Sequence, residues 1–209
     1  MLANMDANRG AGAESLELIE ELNHRVANEF AEALATLSIA ATRAPCQYSK
    51  ASLAQASDKL FLHASLHRSL LRPAAAQANL ANHLALICSA FNKAVMAEKG
   101  IEIHLSAEDV DLSADRCWKI GLILAELVRN SARHGLSTDG GAIFVDTWCR
   151  SDRIMCLVSD TGGITLQRPA GVGQKLVGSL VQELGGKAEW RFTSFGCVVH
   201  LDVSAKEGM

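Results

Sequence analysis

Two stretches in which apolar or small side chains recur at alternating steps of three and four limit what the first third of this chain can become. In the first, Ile19, Leu22, Val26, Phe30, Ala33, Leu37 and Ala40 keep that spacing, the seam of a helix packed in a bundle or coiled coil. In the second, Leu53, Ala56, Leu60, Ala64, His67 and Leu71 do the same. Prolines punctuate both. Pro45 predicts the end of a first helix running from about Glu14 to Ala44, and Arg72-Pro73 the end of a second from about Lys50 to Leu71, because proline breaks the backbone ladder and restricts the residue before it. The turn Cys46 to Ser49 is short, so the two helices form an antiparallel hairpin. One hairpin cannot cover both seams. Two copies pairing into a four-helix bundle would, which predicts a homodimer.

Residues 1–13, rich in Ala, Asn and Gly, read as a flexible lead-in, residues 14–73 as the hairpin, and Pro73-Ala74-Ala75-Ala76-Gln77 as a linker. Residues 77–205 then change pattern. Leu80, Leu84, Ile87, Phe91 and Val95 stripe a helix that Gly100 can cap. Ile101, Ile103 and Leu105 alternate as a strand. A helix follows from about Ala114 to His134, with Ser113 as its N-cap. Ala142 to Trp148 and Ile154 to Ser159 are strand-rich and joined by the turn Cys149 to Arg153. A glycine-rich loop, a helix from about Val172 to Leu184, and strands Ala188 to Thr193 and Cys197 to Val203 complete the chain. Helices followed by a largely antiparallel sheet predict an α+β fold, a two-layer sandwich behind the hairpin.

Composition excludes several classes of function. A net charge of −3 gives no electrostatic footprint for nucleic acid. No run approaches the roughly 20 apolar residues of a membrane span, and the start lacks a signal-peptide core, so no membrane insertion and a cytoplasmic location are expected. The six cysteines are scattered with no Cys-x-x-Cys, which suits small buried side chains in a reducing compartment better than a disulfide frame or zinc site. His63 and His67 have metal-ligand spacing but no third ligand nearby. They are expected to pack inside the hairpin or at a dimer interface.

Two groups of polar residues carry chemistry. His24 lies two residues from both Leu22 and Val26, about 200° around the helix from each, so it faces solvent. Asn28 is one turn on, Arg25 adjacent, and Glu20 and Glu21 one turn back. An exposed imidazole beside carboxylates and a carboxamide is a candidate nucleophile or proton carrier. In the helix ending near His134, Ile120, Leu124, Leu127 and Val128 mark the buried side. Glu126, Asn130, Arg133 and His134 fall on one polar face. An oxygen from Asn130 suits Mg²⁺ and a guanidinium from Arg133 suits phosphate. Asp160-Thr161-Gly162-Gly163 follows a strand, where a carboxylate can accept from an adenine amino group. Gly171-Val172-Gly173 then opens a helix, whose N-terminus favours an anion.

The box Glu21-Leu22-Asn23-His24-Arg25-Val26-x-Asn28 resembles the phospho-acceptor box of the HWE-type histidine kinases and their close relatives. In addition, Glu126-Leu127-x-x-Asn130-x-x-Arg133-His134, Asp160-x-Gly162 and Gly171-Val172-Gly173 resemble the asparagine, adenine-reading and glycine boxes of the ATP-binding domain shared by histidine kinases, gyrase-type ATPases and Hsp90 chaperones. The resemblance covers the chain from about Leu18 to Val203. It departs at Ala27, where the family has lysine, at Ala125, where the HWE group has histidine, at Val158-Ser159-Asp160, and at Ile164. The segment Ile164 to Ala170 that would close over ATP is short.

The resemblance implies ATP and Mg²⁺ as cofactors, with Glu126 and Asn130 positioning metal and phosphates and Asp160 reading adenine. His24 would accept the phosphoryl group, and a response-regulator receiver domain would be its partner. The input would come from a separate sensor protein. Two other functions remain open from the residues alone. One is a phosphotransferase or regulator phosphatase that relays through His24 without ATP. The other is an ATP-binding module that sequesters a transcription factor, with His24 inert.

Overall fold

A computed structural model describes residues 3–136, 140–163, 172–194 and 196–206; in the helical segments, the side chains of residues 3–17, 19, 20, 134 and 135 lie outside that description. The chain divides into two units, Met1–Leu71 and Arg72–Met209.

The first unit is a hairpin of α1 (Ala3–Arg43) and α2 (Gln47–Ser69). Helical backbone begins at Ala3, so the stretch expected as a flexible lead-in continues α1. Ala3, Ala7, Ala11 and Ala13, the strongest helix formers, offset Gly10 and Gly12 there. Pro45 ends the first helix as expected. The next begins three residues earlier than expected, because Cys46 serves as its N-cap, its Sγ accepting from the Ser49 backbone N–H at 3.5 Å. The inner seam is rotated from the one expected. On α1, Val26, Phe30, Leu37 and Ala40 are half-buried, but Ala27 and Leu34 share that side while Leu22 and Ala33 are exposed. On α2, Leu53, Ser57, Leu60, Ala64 and His67 form the covered row and Ala56 is exposed. Phe30 and His67 meet across the hairpin with ring centroids 5.1 Å apart. Helix pairing, not hydropathy alone, decides which neighbouring stripe turns inward. Leu18, Leu22, Ile39 and Phe61 are each about half exposed.

The second unit is a five-stranded mixed sheet with three α-helices. Strand order is β2 (Ile101–Ala107), β4 (Gly141–Arg150), β5 (Arg153–Asp160), β7 (Gly196–Ser204) and β6 (Lys187–Thr193). The β2–β4 pair is parallel, with Ile103 opposite Ile143; the other pairs are antiparallel. Alternate residues on the strands turn into the core, among them Ile143, Val145, Ile154, Cys156, Val158, Val199, Leu201 and Val203. They are covered by α3 (Leu80–Phe91), α4 (Ala114–Asn130) and α5 (Val172–Glu183), through Leu84, Ile87, Phe91, Ile123, Leu124, Val128, Val177 and Leu180. These elements realise the expected α+β class.

Two features were not foreseen. Gln77, expected in the linker, opens β1 (Gln77–Asn79), which pairs antiparallel with β3 (Asp111–Ser113). Three-residue polar strands carry no readable periodicity. Asn79 caps α3, accepting from the Asn82 N–H at 3.0 Å. Ser113 occupies the N-cap position of α4 but makes no side-chain capping bond. That helix is fixed instead by Arg116, buried and donating to the carbonyls of Leu184 and Ser204, and by Lys119, which reaches Asp115 at 2.9 Å and Glu183 at 3.2 Å. The second surprise is the winding after Asn130. Residues Ser131–Gly135 form a π-turn, closed by the Leu136 N–H on the Ser131 carbonyl at 3.0 Å. No helix among the described residues is long and apolar enough to cross a membrane.

Candidate functional site

His24, Arg25 and Asn28 all lie on exposed positions of α1. Arg25 is turned back one helical turn to Glu21, Nη2 to Oε1 at 2.6 Å, so it does not fold over the histidine. The imidazole is accessible, and Asn28 shares its side of the helix one turn on. The chemistry available here is that of a nucleophile presented to an incoming group.

In the second unit the sheet and helices converge on two clusters. The first surrounds Asp160, the last residue of β5, which is only 6% exposed. Its Oδ1 accepts from the backbone N–H groups of Gly162 at 3.1 Å and Cys197 at 3.2 Å. Its Oδ2 is buried and has no hydrogen-bond partner. A buried carboxylate oxygen left without a donor is costly, and a ligand amino group at that point would satisfy it. The carboxylate is aimed by the backbone of Gly196, at φ +132; a β-carbon there would lie 1.9 Å from the Asp160 carbonyl oxygen. Only glycine permits that approach. The Cys197 thiol, half-buried beside this group, is pushed up to about 11, first by burial and then by the Asp160 charge. It stays protonated at neutral pH.

The second cluster joins the end of α4 to the start of α5. A β-carbon on Gly173 would lie 2.6 Å from Glu126 Oε2 and 3.9 Å from Asn130 Nδ2. Both side chains, half-buried, therefore close on the first turn of α5. Helix N-terminal N–H groups and their dipole favour negative charge there. The other carboxylate oxygen of Glu126 binds Arg129, Oε1 to Nη1 at 2.5 Å.

The structure thus brings Glu126, Asn130 and Gly173 together and sets Asp160 beside Gly162. Arg133 lies in the π-turn that follows Asn130, with its side chain exposed. His134 lies in that turn with its side chain outside the described residues, as does Gly171 entirely. Gly196, Cys197 and Arg129 were missed. A lone glycine before a strand and a lone arginine within a helix carry no spacing signal that sets them apart. Among the described residues there is no cluster of three or more His, Cys, Asp or Glu able to hold a metal. A hard cation held mainly by nucleotide phosphates needs no such cluster. The orphaned Asp160 oxygen and the glycine-lined start of α5 fit an adenine nucleotide.

No family model matches the chain. A blue-light-activated histidine kinase of Erythrobacter litoralis is 25% identical over 198 residues, which cover 88% of this chain and 56% of that protein. The chain thus spans little more than half the length of that relative. Its fold matches a histidine kinase domain from an Erythrobacter litoralis blue-light-activated histidine kinase, with a TM-score of 0.60 at 21% identity over 84% of this chain and 96% of the other. It also matches a bacterial phosphotransferase, with a TM-score of 0.64 at 12% identity over 90% and 96%. The chain is a homologue of a blue-light-activated histidine kinase over most of its own length, folded as a histidine kinase domain.

Proposed function

We propose that this chain is the core of a two-component histidine kinase, in which His24 takes the γ-phosphoryl group of ATP and passes it to an aspartate of a response-regulator receiver domain. The observation that carries the reading is the buried, unpartnered Oδ2 of Asp160, a ready acceptor for the adenine amino group. Glu126 and Asn130 at the start of α5 support it as the groups that meet metal and phosphates. Mg²⁺ bound with the nucleotide would neutralise phosphate charge, with the Asn130 amide oxygen as its protein ligand and Arg133 and His134 as further phosphate-binding groups. Gly162, Gly171 and Gly173 leave room for the backbone to approach the nucleotide.

The unprotonated ring nitrogen of His24 forms the N–P bond as the bond from γ-phosphorus to the bridging oxygen breaks and ADP leaves; the proton of the other nitrogen goes to water. Asn28 orients the ring, and Arg25, held by Glu21, would have to leave that pair to bring its charge to the phosphoryl group. An aspartate oxygen of the receiver then displaces the histidine. Both steps depend mainly on positioning and charge stabilisation. Two copies pair through the exposed Leu18, Leu22, Ile39 and Phe61. In this reading the protein works in the cytoplasm without binding nucleic acid.

A second reading is an ATP-independent phosphotransferase or regulator phosphatase. It is favoured by Glu126, whose negative charge lies against the α5 terminus where phosphates would approach. One experiment separates the two. Purified protein is incubated with γ-labelled ATP and Mg²⁺ beside His24→Ala and Asn130→Ala variants. Acid-labile, base-stable label lost in both variants is the expected result for the kinase. Label acquired only from a phosphorylated receiver, and lost only in His24→Ala, would establish the relay. If His24 is labelled by neither route, phosphohistidine chemistry is excluded and ATP-dependent partner binding takes its place.

A further inference from the structure

Arg129 is an unspecified position of the asparagine box, one residue before Asn130, yet it occupies the junction between α3, α4 and the start of α5. Its guanidinium lies 5.7 Å from the ring centroid of Phe91, a fully buried residue at the end of α3, within the range of a cation–π contact. Its Nη1 meets Glu126 Oε1 at 2.5 Å. The second oxygen of the same carboxylate is the one that approaches Gly173. We infer that Arg129 is a positioning residue: Phe91 holds its guanidinium, and through it the Glu126 carboxylate is aimed at the first turn of α5.

An exposed ion pair one helical turn long contributes little by itself. Here the pair is fixed at both ends, by a buried aromatic ring behind the arginine and by a side-chain-free backbone in front of the glutamate. Pairing one carboxylate oxygen reduces the negative charge that Glu126 brings to a cleft meant for phosphates, and leaves the other oxygen directed. A lysine at 129 would keep the charge but stack less well on the ring. This role rests on the reading of the Glu126–Asn130 cleft as nucleotide-facing, but the geometry it predicts exists without ligand.

The test therefore begins with ligand-free protein. The Gly173 amide resonance is followed by NMR in the wild type, Arg129→Ala, Arg129→Lys, Glu126→Gln and the Arg129→Ala/Glu126→Gln double variant. We expect Arg129→Ala to shift the resonance in the same direction as Glu126→Gln, Arg129→Lys to recover part of the wild-type position, and the double variant to add nothing to Glu126→Gln, since coupled residues are non-additive. The Leu180 resonance should stay in place, which excludes general loosening of α5. An unmoved Gly173 resonance in Arg129→Ala, or an equal shift with and without Glu126, would overturn the inference. Titration with Mg-ATP on the same samples then judges the cleft separately. If the wild type binds no nucleotide, the nucleotide reading fails while the Arg129–Glu126 coupling stands or falls on the resonances. If it binds, Arg129→Ala should weaken binding about tenfold, the size typical of one coupled pair.

Discussion

In the proposed kinase, Asp160 is the side chain on which nucleotide binding turns. Its carboxylate is held by two N–H donors on one oxygen, and the other oxygen is sealed from water with nothing to accept. Asp160→Asn keeps the shape, and its amide oxygen can still receive Gly162 and Cys197. It replaces the vacant acceptor by an NH₂ donor facing the adenine amino group. We expect nucleotide affinity to fall about tenfold or more, the cost of one buried unmatched polar contact, with the far-UV spectrum and melting profile retained. Equilibrium dialysis with ATP measures it, and unchanged affinity would remove Asp160 from the binding site. Three buried thiols of the same unit stay protonated at neutral pH. Burial pushes Cys88 up to about 12 and Cys117 and Cys156 up to about 11.

Helix α4 carries Glu126 and Asn130, and its packing against α3 includes a buried histidine that no function requires. His83 is 8% exposed, its Nε2 has no partner, and burial lowers its pKa below the ordinary 6.5. Gly121 on α4 makes the close fit, since a β-carbon there would lie 2.7 Å from Nε2. A depressed folded-state pKa means that below pH 6.5 the unfolded chain gains a proton that the folded chain refuses. Stability is therefore unaffected by this group above pH 6.5 and is lost as pH falls below it, levelling only at the lowered pKa. His83→Gln should flatten the loss of melting temperature between pH 7.5 and 5.5 relative to the wild type, measured by circular dichroism. Equal slopes would show that the α3–α4 contact opens to water before His83 titrates.

Considered whole, the chain leaves apolar surface uncovered on its hairpin. Leu18, Leu22 and Ile39 on α1 and Phe61 on α2 are each about half exposed, and covering that remaining surface would stabilise by roughly 1 kcal/mol each. We expect a dimer in solution, and Leu22→Glu with Phe61→Glu to shift it to monomer in light scattering without loss of helicity. A wild-type monomer at micromolar concentration would remove the four-helix bundle.

The same hairpin shows how far periodicity reaches. Spacing and proline placement were enough to set two helices and their turn, and alternation was enough to find all five strands of the main sheet, because those patterns record burial along one element. The order of Asn130, Asp160 and Gly173 along the chain was enough to mark a candidate cleft. What periodicity cannot see is any choice made between elements. Ser57, not Ala56, turns inward because α1 lies on that side. The π-winding of Ser131–Gly135 is likewise invisible to α-helical arithmetic. Gly196 and Arg129 became legible only when β7 met the end of β5 and α4 met α3 and α5. The residue types that do the chemistry were written in the sequence; the unpartnered oxygen of Asp160 and the aim of Glu126 were decided by tertiary structure, because both depend on distances between segments that the chain brings together only on folding.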